Sequence, residues 1–451
     1  MKRDNQMMLR GPLLKSMIRY TIPIILTSWL QLLFNAADLV VVGQANGSDS
    51  LAAVGATGAI TNLIVNLFMG LSVGAGVTMA HCLGSNDEEA VSRTVHTAIP
   101  AAAISGLFLT VVGVCCSRVF LIWMGTPENI LPLSTLYMQI YFGGMVFNMV
   151  YNFAASILRA AGDTQSPLKF LTIAGVVNVV LNLIFVRVFH MNVEGVALAT
   201  VISQAVSAVL VVRELMIRTD ACRLEWKKMH IYKPQLLRMV RIGLPAGIQG
   251  SMFSISNVMI QSSVNSFGNV VMSGNTAAGN IEGFVYTAMN AFHQTAVNYT
   301  GQNVGARQYD RVKRILWTSL ASVGVTGLGL GLLMYALGPQ LLRIYITDAP
   351  EAIGYGLIRM KYICAVYFLC GLMDVTTGSL RGLGVSLAPM IISVLGVCGI
   401  RLLWIYTVFA VYHTPDCLYL SYAVSWIATF LAQFVAFWWA YRKHTRTAGS
   451  L

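Results

Sequence analysis

Apolar runs of about 20 residues, parted by short polar turns, follow one another along almost the whole chain. A run of that length spans the hydrocarbon core of a bilayer, whereas a helix of a soluble domain shows only an apolar stripe. Twelve such spans can be read, at 20–44, 51–80, 94–116, 131–158, 168–190, 195–216, 242–268, 273–302, 315–338, 355–380, 388–411 and 418–441. Several are interrupted by Gly or Pro, which membrane helices tolerate where neighbours re-satisfy the backbone. The longest polar stretch, TDACRLEWKKMHIYKPQ at 219–235, separates the sixth span from the seventh. It reads as a linker with an amphipathic element at the membrane surface.

The pattern is written twice, with a displacement of about 222 positions. RYTIPIILTSWLQLLFNAADLVVV begins at Arg19 and its counterpart RIGLPAGIQGSMFSISNVMIQ begins at Arg241. Pro23 answers to Pro245, Asn35 to Asn257, Arg159 to Arg381, Gly162 to Gly384 and Pro167 to Pro389. The expected fold is an all-α polytopic membrane protein, with twelve transmembrane helices in two pseudo-symmetric six-helix bundles. Residues 1–218 form an amino-terminal lobe, 219–235 a cytoplasmic linker and 236–451 a carboxyl-terminal lobe. An even number of spans per copy makes the copies parallel, related by an axis along the membrane normal, as in transporters built from repeats.

Composition agrees with this reading. Hydrophobic residues make up 56% of the chain and charged residues 11%, against about 25% charged in a soluble domain. The basic start (Lys2, Arg3, Arg10, Lys15) runs into an apolar stretch too long for a signal peptide. The net charge of +12 does not call for nucleic acid. About 24 of the 30 Lys and Arg fall at the amino terminus, in the even-numbered turns and at the carboxyl terminus, which the positive-inside rule places in the cytoplasm. The eight cysteines form no C-x-x-C pair and read as small hydrophobes.

An ionisable group inside the bilayer is costly and asks for a reason. Asp38 lies mid-span in FNAADLVVVG with no cation within a helical turn. Such a carboxylate can exchange a proton or ligate a cation, and it can also line a wet cavity or cap a neighbouring helix. Gln31, seven residues earlier, shares its face. Asn178 and Asn182 share a face of the fifth span, where amides also serve to glue helices together, and Thr200 opens the polar face of the sixth. In the second copy, Ile260 stands at the Asp38 position, while Glu282 and Asp374 lie in the eighth and tenth spans. Each could attract a cation or be neutralised, with Arg401 or Lys361 as the candidate partner. His293 and Arg401 read as structural or pocket-edge groups, and Arg159 and Arg381 as helix-end and lipid-headgroup anchors. The intramembrane acids outnumber the basic residues read as facing a cavity, which favours cationic cargo. Met (22 residues) and aromatics (10%) suit flat lipophilic cations, and equally suit ordinary packing. No G-x-x-x-x-G-K-[ST], H-E-x-x-H or G-x-S-x-G occurs in a catalytic setting, so neither an ATP motor nor an enzyme is read from the chain.

These residues resemble the multidrug and toxic compound extrusion (MATE) transporters over nearly the whole length. The resemblance rests on Pro-x(14)-Asp from Pro23 to Asp38, AVGATGAI at 53–60, LRAAGDTQSP at 158–167, NVVLN at 178–182, GVALATVISQ at 195–204, GLPAGIQ at 243–249, GQNVGA at 301–306 and LRGLG at 380–384. It implies two six-helix lobes around a central cavity and export driven by inward flow of sodium or protons. Carried over by position, it implies a site of Gln31, Asp38, Asn178, Asn182 and Thr200, with Pro23 as the bending point of the first helix. Many members have Asp where this chain has Asn182, and Tyr where it has Phe34. Asp374 lies near, but about one helical turn from, the acidic position that some members use. A sodium ion at Asp38 or at Asp374, or a proton, is the expected coupling ion, with no other cofactor. Expected partners are lipophilic organic cations and membrane lipids, no nucleic acid, and no second copy. A flippase of lipid-linked or oligosaccharide substrates is the alternative, and a membrane-embedded enzyme or receptor a remote one.

Overall fold

In a computed structural model, residues 8–346 and 350–449 are described; Lys2 and Arg3 lie outside the described residues. Helices fill the chain, and no strand occurs among the described residues. In order they are α1 (Leu13–Asn46), α2 (Ser48–Gly84), α3 (Glu88–Trp123), α4 (Leu131–Gly143 and Met145–Ala160), α5 (Gln165–Leu183, continued by a π turn Ile184–Val188) and α6 (Val193–Ile217). The second copy gives α7 (Lys233–Asn265), α8 (Asn269–Gly305), α9 (Tyr309–Ala336), α10 (Pro350–Tyr362 and Phe368–Gly382), α11 (Leu387–Val411) and α12 (Pro415–Gly449). Among the described residues a helix lies over each of the twelve expected spans. Eight helices are long and apolar enough to cross a bilayer, and the pairs forming α4 and α10, bent by 46° and 44°, raise this to ten. The remaining two, α7 and α8, have 33 and 37 residues and are more polar. Large apolar side chains such as Leu107, Phe108, Val209, Val325 and Val435 stand exposed on the outside, the arrangement lipid demands.

Duplication is visible in the turns. Left-handed backbone recurs at matching places: Asn86 (φ 56) before α3 and Arg307 (φ 58) before α9, Gly162 (φ 92) before α5 and Gly384 (φ 84) before α11. Asp87 caps α3 by accepting from the Ala90 N–H at 2.9 Å.

The chain divides into two compact units, and the division differs from the sequence boundaries in two places. The first unit runs from Leu26 to Ser251; the second takes α1 up to Ile25 together with the chain from Met252 onward. Each copy therefore lends the start of its first helix to the other unit. In the first unit this shows as a close crossing of α2 and α7, where Gly70 and Gly74 meet Gly243 and Gly247. A Cβ on Gly70 would stand 2.2 Å from the Gly247 backbone nitrogen, so only paired small residues permit the approach. In the second unit α1 meets α8 through polar groups: Thr21 and Thr295 hydroxyls at 2.7 Å, and Asn298 Nδ2 donating to Tyr20 Oη at 2.9 Å.

The linker is more firmly held than a surface amphipathic element. The Leu224 N–H donates to Leu215 O at 2.9 Å, Glu225 N–H to His96 Nε2 at 3.0 Å, and Tyr232 N–H to Thr97 Oγ1 at 3.1 Å. Cys222 and Leu224 are buried, while Trp226 is exposed beside Lys227 and Lys228. The segment is a strap across the start of α3, with one aromatic and basic turn left facing outward.

Candidate functional site

In the first unit the structure brings four of the five expected residues into hydrogen-bond contact. Asn182 Nδ2 donates to Asp38 Oδ1 and to Asn178 Oδ1, the latter at 3.2 Å. Thr200 Oγ1 lies 3.4 Å from Asp38 Oδ2 and 2.9 Å from Val196 O, and Asn178 Nδ2 reaches Thr200 Oγ1 at 3.5 Å. Three helices thus converge: α1 supplies Asp38, α5 the two amides one turn apart, and α6 the hydroxyl. Asn178 and Asn182 are buried, and no ion pair to Asp38 occurs among the described residues. Gln31 makes no hydrogen bond to Asp38 among the described residues but lines the same cavity of about 120 Å³. That volume holds a few water molecules or an ion, far less than the roughly 300 Å³ of the smallest drug-sized pockets.

Phe34, the position where many family members have Tyr, and Asn35 also line the cavity, while Asn148, Asn152 and Gln204 were not singled out from the sequence. Asn148 and Asn152 sit four apart on α4, and Asn152 Nδ2 donates to Asn148 Oδ1 at 3.0 Å. The i, i+4 amide pair in an apolar span was the available signal, the same one that marks Asn178 and Asn182. Phe34 presses its ring where a Cβ on Gly175 would stand, 1.8 Å away, so Gly175 is what lets this wall close. Pro23 lies within α1, close to the point where that helix passes from one unit to the other.

The second unit corrects several expectations. Glu282 is neutralised by Arg359, not by Arg401 or Lys361: Nε donates to Oε1 at 2.9 Å and Nη2 to Oε2 at 2.7 Å. Arg359 Nη1 also donates to Asn275 Oδ1 at 2.6 Å, as does Tyr419 Oη at 3.0 Å. Helical spacing relates residues within one helix, and this pair joins two, α8 and α10. Arg381 is no headgroup anchor. It is buried, and its Nη1 donates to His293 Nε2 at 3.3 Å, while His293 Nδ1 donates to the Asp374 carbonyl at 2.6 Å. Asp374 is buried, and its Oδ2 meets no hydrogen-bond partner among the described residues. The structure therefore does not join Asp374 and Glu282 into one acidic site. The intramembrane acids Asp38, Glu282 and Asp374 are matched in number by the guanidiniums of Arg359, Arg381 and Arg401, so acids do not outnumber bases.

Comparison with known proteins follows the same lines. The family model described as MatE matches residues 23–184 and 245–407, one match in each copy. The chain is 25% identical over 391 residues to "Probable multidrug resistance protein YpnP" of Bacillus subtilis, covering 86% of each. It is 23% identical over 360 residues to a protein of Shewanella oneidensis named "FAD transporter", covering 77% of each. A crystal structure of a MATE protein in the bent conformation superposes with a TM-score of 0.88 at 20% identity, over 99% of this chain and 98% of the other.

Proposed function

The chain belongs to the MatE family of multi-pass membrane transporters, and from that premise we propose that it exports lipophilic organic cations in exchange for protons or sodium by alternating access. The observation that carries the reading is Asp38, set in a small polar cavity, bonded by Asn182 and Thr200 and without a cationic partner among the described residues. A carboxylate so placed acts as a coupling group: the cavity is large enough for an ion or a few water molecules and is smaller than drug-sized pockets. Asn178 assists by holding Asn182 and Thr200, and Gln31 lines the same cavity. Pro23 is the hinge of α1 in this reading, because its ring removes one helical hydrogen bond beside the change of unit. In this reading both termini lie on the cytoplasmic side of the cell membrane, which the distribution of Lys and Arg supports. The protein works as a monomer with lipid around its apolar exterior.

The test is counterflow of the fluorescent cation ethidium in proteoliposomes, with sodium and proton gradients imposed separately. Uptake against the ethidium gradient under one of the two is expected. Ethidium movement indifferent to both gradients would defeat the proposal.

A second reading is export of aromatic anions. The even balance of acids and guanidiniums within the spans favours it, as does the relative named an FAD transporter.

A further inference from the structure

We propose that Arg401 is the anion-recognising group of a cargo subsite in the second unit, taking the carboxylate or phosphate of a flat aromatic compound. The proposal deepens the second reading above and rests on it for the direction of transport, though not for binding.

Arg401 lies mid-way along α11 and is 4% exposed. Its Nε donates to Ser425 Oγ at 3.0 Å; its two terminal nitrogens meet no protein acceptor among the described residues. Among the described residues no carboxylate pairs with it either; Glu282 is occupied by Arg359. The guanidinium lies 4.0 Å from the centroid of Tyr422 and 5.7 Å from that of Trp426. Tyr367 and Tyr422 both pack edge-on against Trp426, with centroids 5.1 and 5.5 Å away. Aromatic faces offset part of the cost of burying a cation but offer no acceptor for its N–H groups. A buried, permanently charged fork with its outer edge unmet and aromatic faces beside it fits an anionic oxygen group on a flat ring.

The backbone is arranged to place this residue. A π turn, Val394–Gly399, directly precedes it. An extra residue in a helical turn rotates everything after it by about 100°, and such turns gather at functional positions. Gly396, inside that turn, lets α11 close on α12; a Cβ there would stand 2.1 Å from Thr429 Oγ1. The charge is also particular to this copy. Its repeat partner in the first copy is Val179, while Asp38 answers to Ile260. At these two positions each copy carries a charge where the other has an apolar residue, and the signs are opposite.

The experiment uses the full chain in lipid nanodiscs, titrated with 2-naphthoate, with 1-naphthyl phosphate and with the uncharged 2-naphthamide, followed by calorimetry. Wild type is expected to bind either anion at least tenfold more tightly than the amide. Arg401→Gln should bring the three ligands level by weakening the anions alone. Arg401→Lys, which keeps the charge without the fork, should lose at least threefold of the preference, and it decides the matter if the Gln variant fails to fold. Equal binding of anions and amide by wild type, no binding of any of them, or a preference untouched by either substitution overturns the subsite. Vesicles loaded with 2-naphthoate separate the two levels of argument. Arg401-dependent binding without export sinks the second reading and leaves the subsite. Export that ignores Arg401 does the reverse.

Discussion

Arg359 grips Glu282 with two parallel hydrogen bonds, at 2.9 and 2.7 Å, and takes Asn275 with its third nitrogen. These bonds tie the first segment of α10 to α8. They also remove Glu282 from the carboxylates open to a cation.

Breaking that pair one side at a time leaves a buried charge uncompensated, at a cost of about 3–5 kcal/mol. Glu282→Gln and Arg359→Gln should each lower the thermal midpoint of the detergent-solubilised protein strongly. The double substitution should recover most of the loss, because no lone charge then remains. If the double variant is as unstable as the sum of the single ones, the pair is not the unit that matters.

His96 is fixed in one tautomer by its neighbours. Its Nδ1 donates to Ser92 O at 2.7 Å, so Nε2 is the acceptor for the Glu225 N–H. Removing that acceptor in His96→Ala forfeits roughly 1 kcal/mol, about a fivefold rise in amide exchange at Glu225. Hydrogen exchange read by mass spectrometry should show the change in the peptide covering 222–228 and not in α4. Unchanged exchange there would mean that Thr97 and Leu215 hold the strap by themselves.

The twelve spans and the duplication were legible because a membrane helix is apolar on every side and its length is set by the bilayer. The cluster of Asp38, Asn178, Asn182 and Thr200 was legible for a related reason: a polar residue in such a span must turn inward, and one-turn spacing gives its face. The Arg359–Glu282 pair was hidden because it joins two helices, and spacing along one helix does not say which residue of another it meets. Arg381 was misread because a guanidinium near a helix end usually reaches for the interface, whereas here His293 meets it inside the unit. The exchange of helix starts between units leaves no mark in hydropathy. It depends on the small residues at Gly70 and Gly247, which look alike whether they face lipid or another helix.

Asp38→Asn tests the coupling group with little change of volume. Coupled export should fall at least tenfold, a loss of about 1.4 kcal/mol or more, while the thermal midpoint stays near that of wild type. Ethidium export at the wild-type rate in this variant would remove Asp38 from the mechanism.

A proton is the coupling ion we propose, on the way the neighbours of Asp38 are turned. Thr200 has one hydroxyl proton and two acceptors in reach, Val196 O at 2.9 Å and Asp38 Oδ2 at 3.4 Å. With the carboxylate ionised, the hydroxyl can swing to Asp38. With it protonated, the hydroxyl returns to Val196 and its oxygen receives the new proton, so one small rotation serves both states. Sodium would ask for more. It needs several oxygens and is held better by additional negative charge. Asn182 turns its NH₂ toward Asp38, and its own Oδ1 is buried without a hydrogen-bond partner among the described residues. To help ligate sodium that amide would have to flip and give up its bond to Asn178. The arrangement therefore favours a proton at this site, and ethidium export should follow an imposed pH gradient at constant sodium. Asn182→Asp would add the second carboxylate that many relatives carry, and sodium-driven export should appear or rise in that variant. Wild-type export that tracks sodium at fixed pH, and survives collapse of the pH gradient, would overturn the proton assignment and move attention to the unpaired oxygen of Asp374.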